Sequence, residues 1–158
     1  KLCALSISPS HRLDMTETQQ IAEAWFDALD QADYARAMSL LSPDIVWINV
    51  PPIQEGSDII PWIGTAIGLD QVQQQFSKRD GVCEVLEFKS AGLICEGDTA
   101  VGLFRDKARI ISTNITFEII FASWMIIKDG RITRWKSYCD TAPIIAAFKG
   151  IQPPAPEV

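Results

Sequence analysis

The sequence predicts a single α+β domain, and three observations lead to that fold class. Apolar residues recur at helical spacing in the first part of the chain, whereas four later segments alternate between two kinds of side chain. The connections between those four segments are short enough for antiparallel hairpins. A last helix, with a proline in its first turn and a glycine at its end, closes the pattern. Helices followed by a long antiparallel meander are typical of an α+β fold.

The first helix is predicted to begin at Thr16, which fits a capping box with Gln19. Ile21, Trp25 and Leu29 then recur on one helical face. An amphipathic helix therefore opens the domain.

Two helices, a strand and a loop are predicted between the first helix and the long β region. The segment 34–42 reads as a short helix that Pro43 ends, and the β-branched segment 44–50 as a strand. Residues 51–68 contain three prolines and three glycines, which predicts a long loop that covers something. Residues 69–79 form a third helix.

The remaining chain is predicted to be mostly β. Its strands are "VLEFKSAGLI", "TAVGLFRDKARII", "ITFEIIFASWMII" and "RITRWKSYC", separated by "CEGD", "STN" and "KDG". The segment "DTAPIIAAFKG" reads as the capped C-terminal helix, with Asp140 as its N-terminal cap.

Length and charge exclude several classes of protein. With 158 residues the chain is long enough for one core with a pocket, and a net charge of −6 argues against a nucleic-acid partner. The longest apolar run is too short to span a bilayer and contains Glu118, so no membrane partner is expected.

Metal and cofactor chemistry are not expected either. The four cysteines, Cys3, Cys83, Cys95 and Cys139, lack the short paired spacings of a zinc site, and the one histidine, His11, lies near the N-terminus. We therefore expect no metal, no cofactor and no histidine-based catalysis.

The chain divides into three parts. Residues 1–14 read as a leader or expression remnant because Met15 is a plausible native start. Residues 15–150 form the single domain, and residues 151–158 form a proline-rich tail. Without an intact secretory signal in the first segment, a cytoplasmic location with reduced thiols is expected.

One strand carries an acidic residue on its drier face. In "VGLFRDKARI" the basic residues share a face with Val101 and Leu103, so Asp106 lies on the other face beside Phe104. A curved sheet would point these side chains into one concavity with three residues of later strands, Phe121, Trp135 and Ser137. An apolar pocket with a few polar groups is typical of a small-molecule site.

The strand 115–127 is apolar on both faces, so something must cover each face. The helices can cover one. A second copy of the sheet is the simplest cover for the other, which predicts a homodimer through Ile120, Ala122, Trp124 and Ile126. A tail or loop lying over Trp124 is the alternative.

Several motifs together resemble a known family. "WIGTAIGLDQV", "EGDTAVGLFRDKAR", "FEIIFASWMIIKDGRI" and "YCDTAPIIAAF" are similar to SnoaL-like, ketosteroid isomerase-related proteins of the nuclear transport factor 2-like superfamily, over residues 16–150. The resemblance implies a cone-shaped, curved antiparallel sheet wrapped around the N-terminal helices, a cystatin-like barrel with a C-terminal helix. It also implies an isomerase, polyketide cyclase, dehydratase, epoxide hydrolase or non-catalytic binding protein.

The resemblance carries site residues over one at a time. Epoxide-hydrolase relatives use an Asp–Arg–Asp relay with a Tyr and an Asn, and gap-free matching puts Asp106 at the first Asp and Asn49 at the Asn. Phe104 stands at the Arg, Ser137 at the second Asp and Trp47 at the Tyr, so only two of the five groups are retained.

This chain retains even fewer of the proton-transfer groups of other relatives. The ketosteroid isomerase base falls on Asn49, and a His of many SnoaL-like proteins falls on Ser123. Asp106 is the acid that remains, and Trp62 is a further candidate to line a site for a flat ligand.

Two functions follow. In the first, the protein is an enzyme in which Asp106 moves a proton on a hydrophobic small molecule, in an isomerase- or cyclase-type reaction or, second, an epoxide-hydrolase-type reaction. The ligand would contact Asn49, Trp47, Trp62, Phe104, Phe121, Ser123, Trp135 and Ser137. In the second, the protein is a non-catalytic dimeric binding module, and Asp106 is a buried structural acid bonded to Asn49, Ser137 or a backbone amide.

Overall fold

The structure is a computed structural model that describes residues 15–50 and 58–156. The predicted leader, residues 51–57 of the predicted loop and the last two residues of the tail lie outside this part. The elements are α1 (Glu17–Asp30), α2 (Tyr34–Ser39), β1 (Leu41–Asn49), β2 (Gly64–Ile67), α3 (Leu69–Asp80), β3 (Cys83–Glu96), β4 (Thr99–Ile110), β5 (Thr116–Lys128), β6 (Arg131–Cys139) and α4 (Ala142–Phe148). The predicted α+β class is confirmed.

The six strands form one sheet in the order β2-β1-β6-β5-β4-β3. Strands β3 to β6 pair as the antiparallel meander that the sequence predicts, and β1 joins β6 in parallel. Register shifts between Val85 and Glu87 and between Ser90 and Gly92 introduce bulges into β3, which bend a strand. In the described residues, no helix is both long enough and apolar enough to cross a membrane.

The first helix begins as predicted, but the second ends early. The hydroxyl of Thr16 accepts a hydrogen bond from the amide of Gln19 at 3.2 Å. Helix α2 ends at Ser39, and Pro43 lies inside β1 instead of ending the helix. Pairing between β1 and β6 shifts register between Leu41 and Val46, and an irregular stretch of this kind tolerates a residue without a backbone donor.

The predicted loop contains a short strand. Residues Gly64–Ile67 form β2, which pairs with β1 at the edge of the sheet. Its first residue, Gly64, and the residue that follows it, Gly68, have positive φ of 118° and 81°. Glycine adopts such values at little cost, so the chain can turn sharply on either side of four paired residues.

Strand β4 has the two faces that its sequence predicts. Side chains from Gly102 to Ile110 are buried at every second position, and the intervening ones are half-buried or exposed. We call the buried side of the sheet the inner face and the opposite side the outer face. Helices α1 and α3 cover one end of the inner face, and α4 covers the other.

Helix α1 approaches the inner face closely at Gly102. A Cβ atom there would lie 1.8 Å from Cζ of Phe26. The ring of Phe26 therefore occupies the space of the missing side chain and stacks on Phe104 with ring centres 4.5 Å apart. Glycine at this position therefore allows helix α1 to pack closely against the sheet.

The core consists of two clusters. One surrounds Trp25 and Trp47, and the other joins the inner face of β4 and β5 to Ile144 and Ala147 of α4. The N-cap of α4 is Thr141 and not the predicted Asp140, and its side chain makes no capping bond. The carboxylate of Asp140, one residue earlier, accepts a hydrogen bond from the amide of Ala142 at 2.9 Å.

Candidate functional site

A cavity lies where the two core clusters meet. The cavity has a volume of about 90 Å³. Its wall is rich in aromatic side chains, which are Trp25, Tyr34, Trp47, Trp62, Phe76, Phe88, Phe104, Phe121 and Trp135. A few polar groups interrupt that wall, among them Asn49, Gln75, Arg79, Asp106 and Ser137. Apolar walls with a few polar groups are the usual composition of small-molecule sites in proteins.

Asp106 reaches the cavity from the inner face of β4. Asp106 is 5 % exposed, and its carboxylate is paired with Arg79. Nη2 of Arg79 donates to both carboxylate oxygens at 2.8 Å. A buried carboxylate is thus matched by one cation.

Arg79 comes from the last turn of α3 and was not predicted as a site residue. Its guanidinium carbon lies 5.9 Å from the ring centre of Trp62, in cation–π contact. Nε of Arg79 is buried without a hydrogen-bond partner in the described part of the chain. A signal for this residue was present, because Arg79 continues the apolar spacing of Leu69, Val72 and Phe76 along α3.

Burial and pairing act in opposite directions on the two charges. Burial raises the pKa of the Asp106 carboxyl above its ordinary value, and the guanidinium of Arg79 opposes that rise. Burial alone would lower the pKa of Arg79, but the charge and hydrogen bonds of Asp106 outweigh it and raise that pKa. The pair therefore places a carboxyl with a raised pKa beside a permanent cation.

The structural partners predicted for Asp106 are wrong. Asn49 and Ser137 instead bond one another, since the Ser137 hydroxyl donates to Oδ1 of Asn49 at 2.8 Å. The amide of Val50 donates to the same hydroxyl at 3.0 Å, and Nδ2 of Asn49 donates to the carbonyl of Trp62 at 3.4 Å. These bonds satisfy both side chains at the end of β1 and leave Asp106 to the arginine of α3.

Most of the predicted site residues meet at this cavity. The lining includes the following: Trp47, Asn49, Trp62, Phe104, Asp106, Phe121, Trp135 and Ser137. Trp47 and Trp135 stack with ring centres 3.7 Å apart and planes 6° apart. The stacked pair is almost completely buried, with Trp47 3 % and Trp135 5 % exposed.

Ser123 is the predicted contact that does not line the cavity. It is completely buried on β5 and pairs with Gly102, the position where Phe26 of α1 approaches the sheet. Helix α1 covers this end of the inner face, so a ligand in the cavity does not reach the serine. Its hydroxyl has no partner in the described residues.

The cavity also contains a thiol. Burial raises the pKa of Cys139 to about 11, with Asp140 and Asp106 adding to the effect, so the thiol stays protonated at neutral pH. Residues 15–50 and 58–156 contain no cluster of three or more His, Cys, Asp or Glu side chains that could hold a metal ion. Besides this thiol, the polar side chains of the cavity wall include the Arg79–Asp106 pair, the Asn49–Ser137 pair, Gln75 and Tyr34.

A curved sheet closed by helices around an aromatic cavity defines the nuclear transport factor 2-like class of fold. The family model of the SnoaL-like domain matches residues 22–135, and the chain belongs to that family. The predicted resemblance is confirmed. The chain matches no curated protein.

Solved structures share the whole fold. A nuclear transport factor 2-like protein of Burkholderia thailandensis E264 is 25 % identical with a TM-score of 0.73, and the match covers 88 % of this chain and 100 % of that one. A candidate SnoaL-like polyketide cyclase of Mesorhizobium loti is 20 % identical with a TM-score of 0.65, over 78 % and 99 % of the two chains.

A third structure has a ketosteroid isomerase-like fold. This protein of Catenulispora acidiphila DSM 44928, in complex with trimethylamine, is 17 % identical with a TM-score of 0.64, over 84 % and 93 % of the chains. At such identities the likeness establishes the fold.

Proposed function

We propose that this protein binds a hydrophobic small molecule in the cavity and that Asp106 transfers a proton to or from it. An isomerase- or cyclase-type reaction is the first candidate, and epoxide hydrolysis is the second. The kinship of the fold with polyketide cyclases and isomerases supports this class of chemistry.

One observation carries the proposal, namely that Asp106 lines a cavity whose wall is otherwise mainly aromatic. A carboxylate is costly to bury, and burial raises its pKa toward the range in which a general base works well. Its position on the inner face of β4 puts it within reach of a ligand stacked on the aromatic rings. Asn49 lies on the same wall, and the second N–H of its amide, which is not used in the bond to Trp62, can donate to a ligand oxygen.

Turnover by wild type and Asp106→Asn on a panel of enolisable ketones and epoxides tests the proposal. Loss of a general base lowers the rate by about 10²- to 10⁴-fold, so we expect the variant to be slower by that factor. Asp98→Asn is the matched control, because Asp98 is an exposed carboxylate at the turn before β4. Equal rates for wild type and Asp106→Asn would contradict a proton-transfer role.

Non-catalytic binding is the second candidate, and the Arg79–Asp106 pair favours it. Both carboxylate oxygens already accept hydrogen bonds, which is how a structural buried acid is satisfied. Binding of an apolar ligand without turnover of any panel member, with the same affinity in Asp106→Asn, would establish this alternative over the enzyme.

We also propose a homodimer through the outer face. Ile120, Ala122, Trp124 and Ile126 are only half-buried there, and Leu103 and Tyr138 are 44 % and 51 % exposed. A groove of about 450 Å³ runs over this face. A second copy of the same face is the simplest partner for such a surface.

Molecular mass in solution tests the dimer. We expect twice the chain mass for wild type and the single chain mass for Trp124→Glu, because a carboxylate in an apolar interface is unpaired. Lys149→Glu, at an exposed position directly after α4, is the control and should remain dimeric. A monomeric wild type at every concentration tested would contradict the proposal.

We propose, finally, that the protein works in the cytoplasm. Cys83, Cys95 and Cys139 are free, as suits a reducing compartment. Cell fractionation with detection of the native protein tests this, and recovery outside the cytoplasmic fraction would contradict it.

A further inference from the structure

The ring of Trp62 contacts two of the helices that cover the inner face of the sheet. The guanidinium carbon of Arg79, on α3, lies over this ring at 5.9 Å from its centre, and the ring centre of Phe148, on α4, is also 5.9 Å away. Trp62 is only 6 % exposed, so both contacts are largely shielded from water. A residue from the segment between β1 and β2 therefore touches both the cation of the buried pair and the C-terminal helix.

The backbone of Trp62 is attached to the sheet. Its carbonyl accepts a hydrogen bond from Nδ2 of Asn49, the last residue of β1, at 3.4 Å. Oδ1 of Asn49 in turn accepts a hydrogen bond from the hydroxyl of Ser137 on β6 at 2.8 Å. Two strands thus hold this backbone and limit how far the buried ring can move.

Hydrogen bonds alone do not fix the plane of the Arg79 guanidinium. Both bonds to Asp106 start from one nitrogen, Nη2, and in the described part of the chain Nε is buried without a partner. A group attached through one atom can still turn about it, and a long side chain gains rotamer entropy when it leaves its site. The Arg79 side chain is 16 % exposed, so solvent lies close to it. The face of the Trp62 ring provides a second contact that holds the guanidinium in place.

Arg79 is the charge that limits the pKa of Asp106. Burial raises that pKa, and the charge and hydrogen bonds of Arg79 lower it. In the described residues, the charge of Asp106 also acts on the thiols of Cys83 and Cys139. Burial raises the pKa of each thiol to about 11, so both are uncharged at neutral pH. Displacement of Arg79 would therefore leave the effect of burial on Asp106 unopposed.

We infer that Trp62 is a positioning residue of the proposed site, because its ring holds the guanidinium of Arg79 against Asp106. The inference rests on the proposed function for its catalytic meaning and deepens it, whereas the contact itself needs no ligand. Trp62 acts through the arginine, so the acid on β4 depends on a side chain from the segment before β2. Because Phe148 packs on the same ring, the position of α4 also affects the pair.

The carboxyl titration of Asp106 in Trp62→Leu and Trp62→Phe tests the inference. Leucine keeps an apolar side chain without an aromatic face, whereas phenylalanine keeps a smaller face. We expect the midpoint, followed by carbon-13 NMR, to rise by at least about one pH unit in Trp62→Leu and by less in Trp62→Phe. Loss of packing alone would admit water beside Asp106 and lower its midpoint, so the direction of the shift separates positioning from a merely structural role.

A matched control replaces a tryptophan on the opposite face of the sheet. Trp124→Leu lies on the outer face of β5, away from the Arg79–Asp106 pair, and should leave the Asp106 midpoint unchanged. If Trp62→Leu does not fold, Trp62→Met gives the same comparison, since methionine also lacks an aromatic face.

Proton exchange at Nε of Arg79 gives a second measurement. This N–H is buried in the wild-type protein, so it should exchange slowly with water, and a guanidinium that leaves Trp62 exposes it. We expect exchange to be at least about tenfold faster in Trp62→Leu than in wild type, with an intermediate rate in Trp62→Phe.

The outcomes separate this inference from the proposed function. A midpoint that falls or does not move in Trp62→Leu would overturn the role of Trp62 at any rate of exchange, and the turnover test of Asp106 would be unaffected. A raised midpoint with faster exchange, in a protein whose wild type turns over no member of the ketone and epoxide panel, would establish that Trp62 positions Arg79 and would overturn the proposed reaction.

Discussion

The two faces of strand β4 handle charge differently. On the outer face Arg105 pairs with Glu118 on the neighbouring strand β5, at 3.2 Å, and Arg109 pairs with Glu84 on β3. On the inner face Asp106 finds no charge on its neighbouring strands and pairs with Arg79 of α3. The cross-strand pairs on the outer face are partly exposed to solvent, whereas the inner pair is buried beside the cavity. The position of a residue along a strand therefore decides on which face of the sheet its charged side chain lies. The partner of the buried Asp106 comes instead from helix α3, which packs over that face.

The largest contrast is expected from removing one cation on each face. Arg79→Met leaves the buried carboxylate of Asp106 unpaired, and breaking a buried pair in this way lowers the free energy of unfolding by about 3–5 kcal/mol. Chemical denaturation measures this loss. Replacing both partners, with Arg79→Met and Asp106→Leu, should recover most of it, and a double variant as unstable as the single one would contradict the explanation by charge.

A smaller loss is expected where α1 meets the inner face. Gly102→Ala places a Cβ atom 1.8 Å from Cζ of Phe26, so the helix must shift, and overpacking of this kind costs about 1–3 kcal/mol. Thermal unfolding measures the loss. Gly92→Ala on β3 is the control because its added Cβ would contact nothing within 4 Å. Similar stability for the two variants would show that α1 does not press on the sheet at this point.

The inner acid should also make stability depend on pH. Because the pKa of Asp106 is raised in the folded chain, its favourable contribution is present below the unfolded value of about 3.9 and is lost as the pH rises through the folded value. Asp106→Asn removes this loss, so the stability of the variant relative to wild type should increase with pH across that window. Denaturation at a series of pH values checks the slope, and a constant difference would contradict the raised pKa.

The smallest effect is expected on the outer face. Arg109→Met removes the partner of Glu84, but both side chains are substantially exposed, and exposed pairs contribute about 0–1 kcal/mol. The same denaturation series measures it beside Arg79→Met. A loss on the outer face as large as that on the inner face would remove the distinction between them.

The pattern of the strands predicts most of the fold. Alternation in β4 to β6 identifies the inner face, and with it Asp106, because a strand places every second side chain on one side. The short strand β2 is not predictable in this way, since its four residues, Gly64–Ile67, carry too little periodicity. The sequence predicts a helix end at Pro43 because a proline commonly ends a helix. Its place within β1 depends on irregular pairing with β6, which the local sequence does not reveal.

The site is predictable only in part. The residues Trp47, Asn49, Phe104 and Ser137 follow from strand faces and from the family resemblance, which place them without reference to the helices. Arg79 continues the apolar spacing of α3, so its position on the buried side was readable, but the polar residues around it make it look like the solvated end of a helix. Its partner lies 27 residues away, and only the packing of α3 over β4 brings the two together.

The carbon-13 resonance of the Asp106 carboxyl, followed through a pH titration, tests the central claim most directly. We expect a midpoint above the ordinary value of an aspartate, because burial raises the pKa of this carboxyl more than Arg79 lowers it. Asp106→Asn identifies the resonance by its disappearance. A midpoint at or below the ordinary value would contradict the proton-transfer role of Asp106.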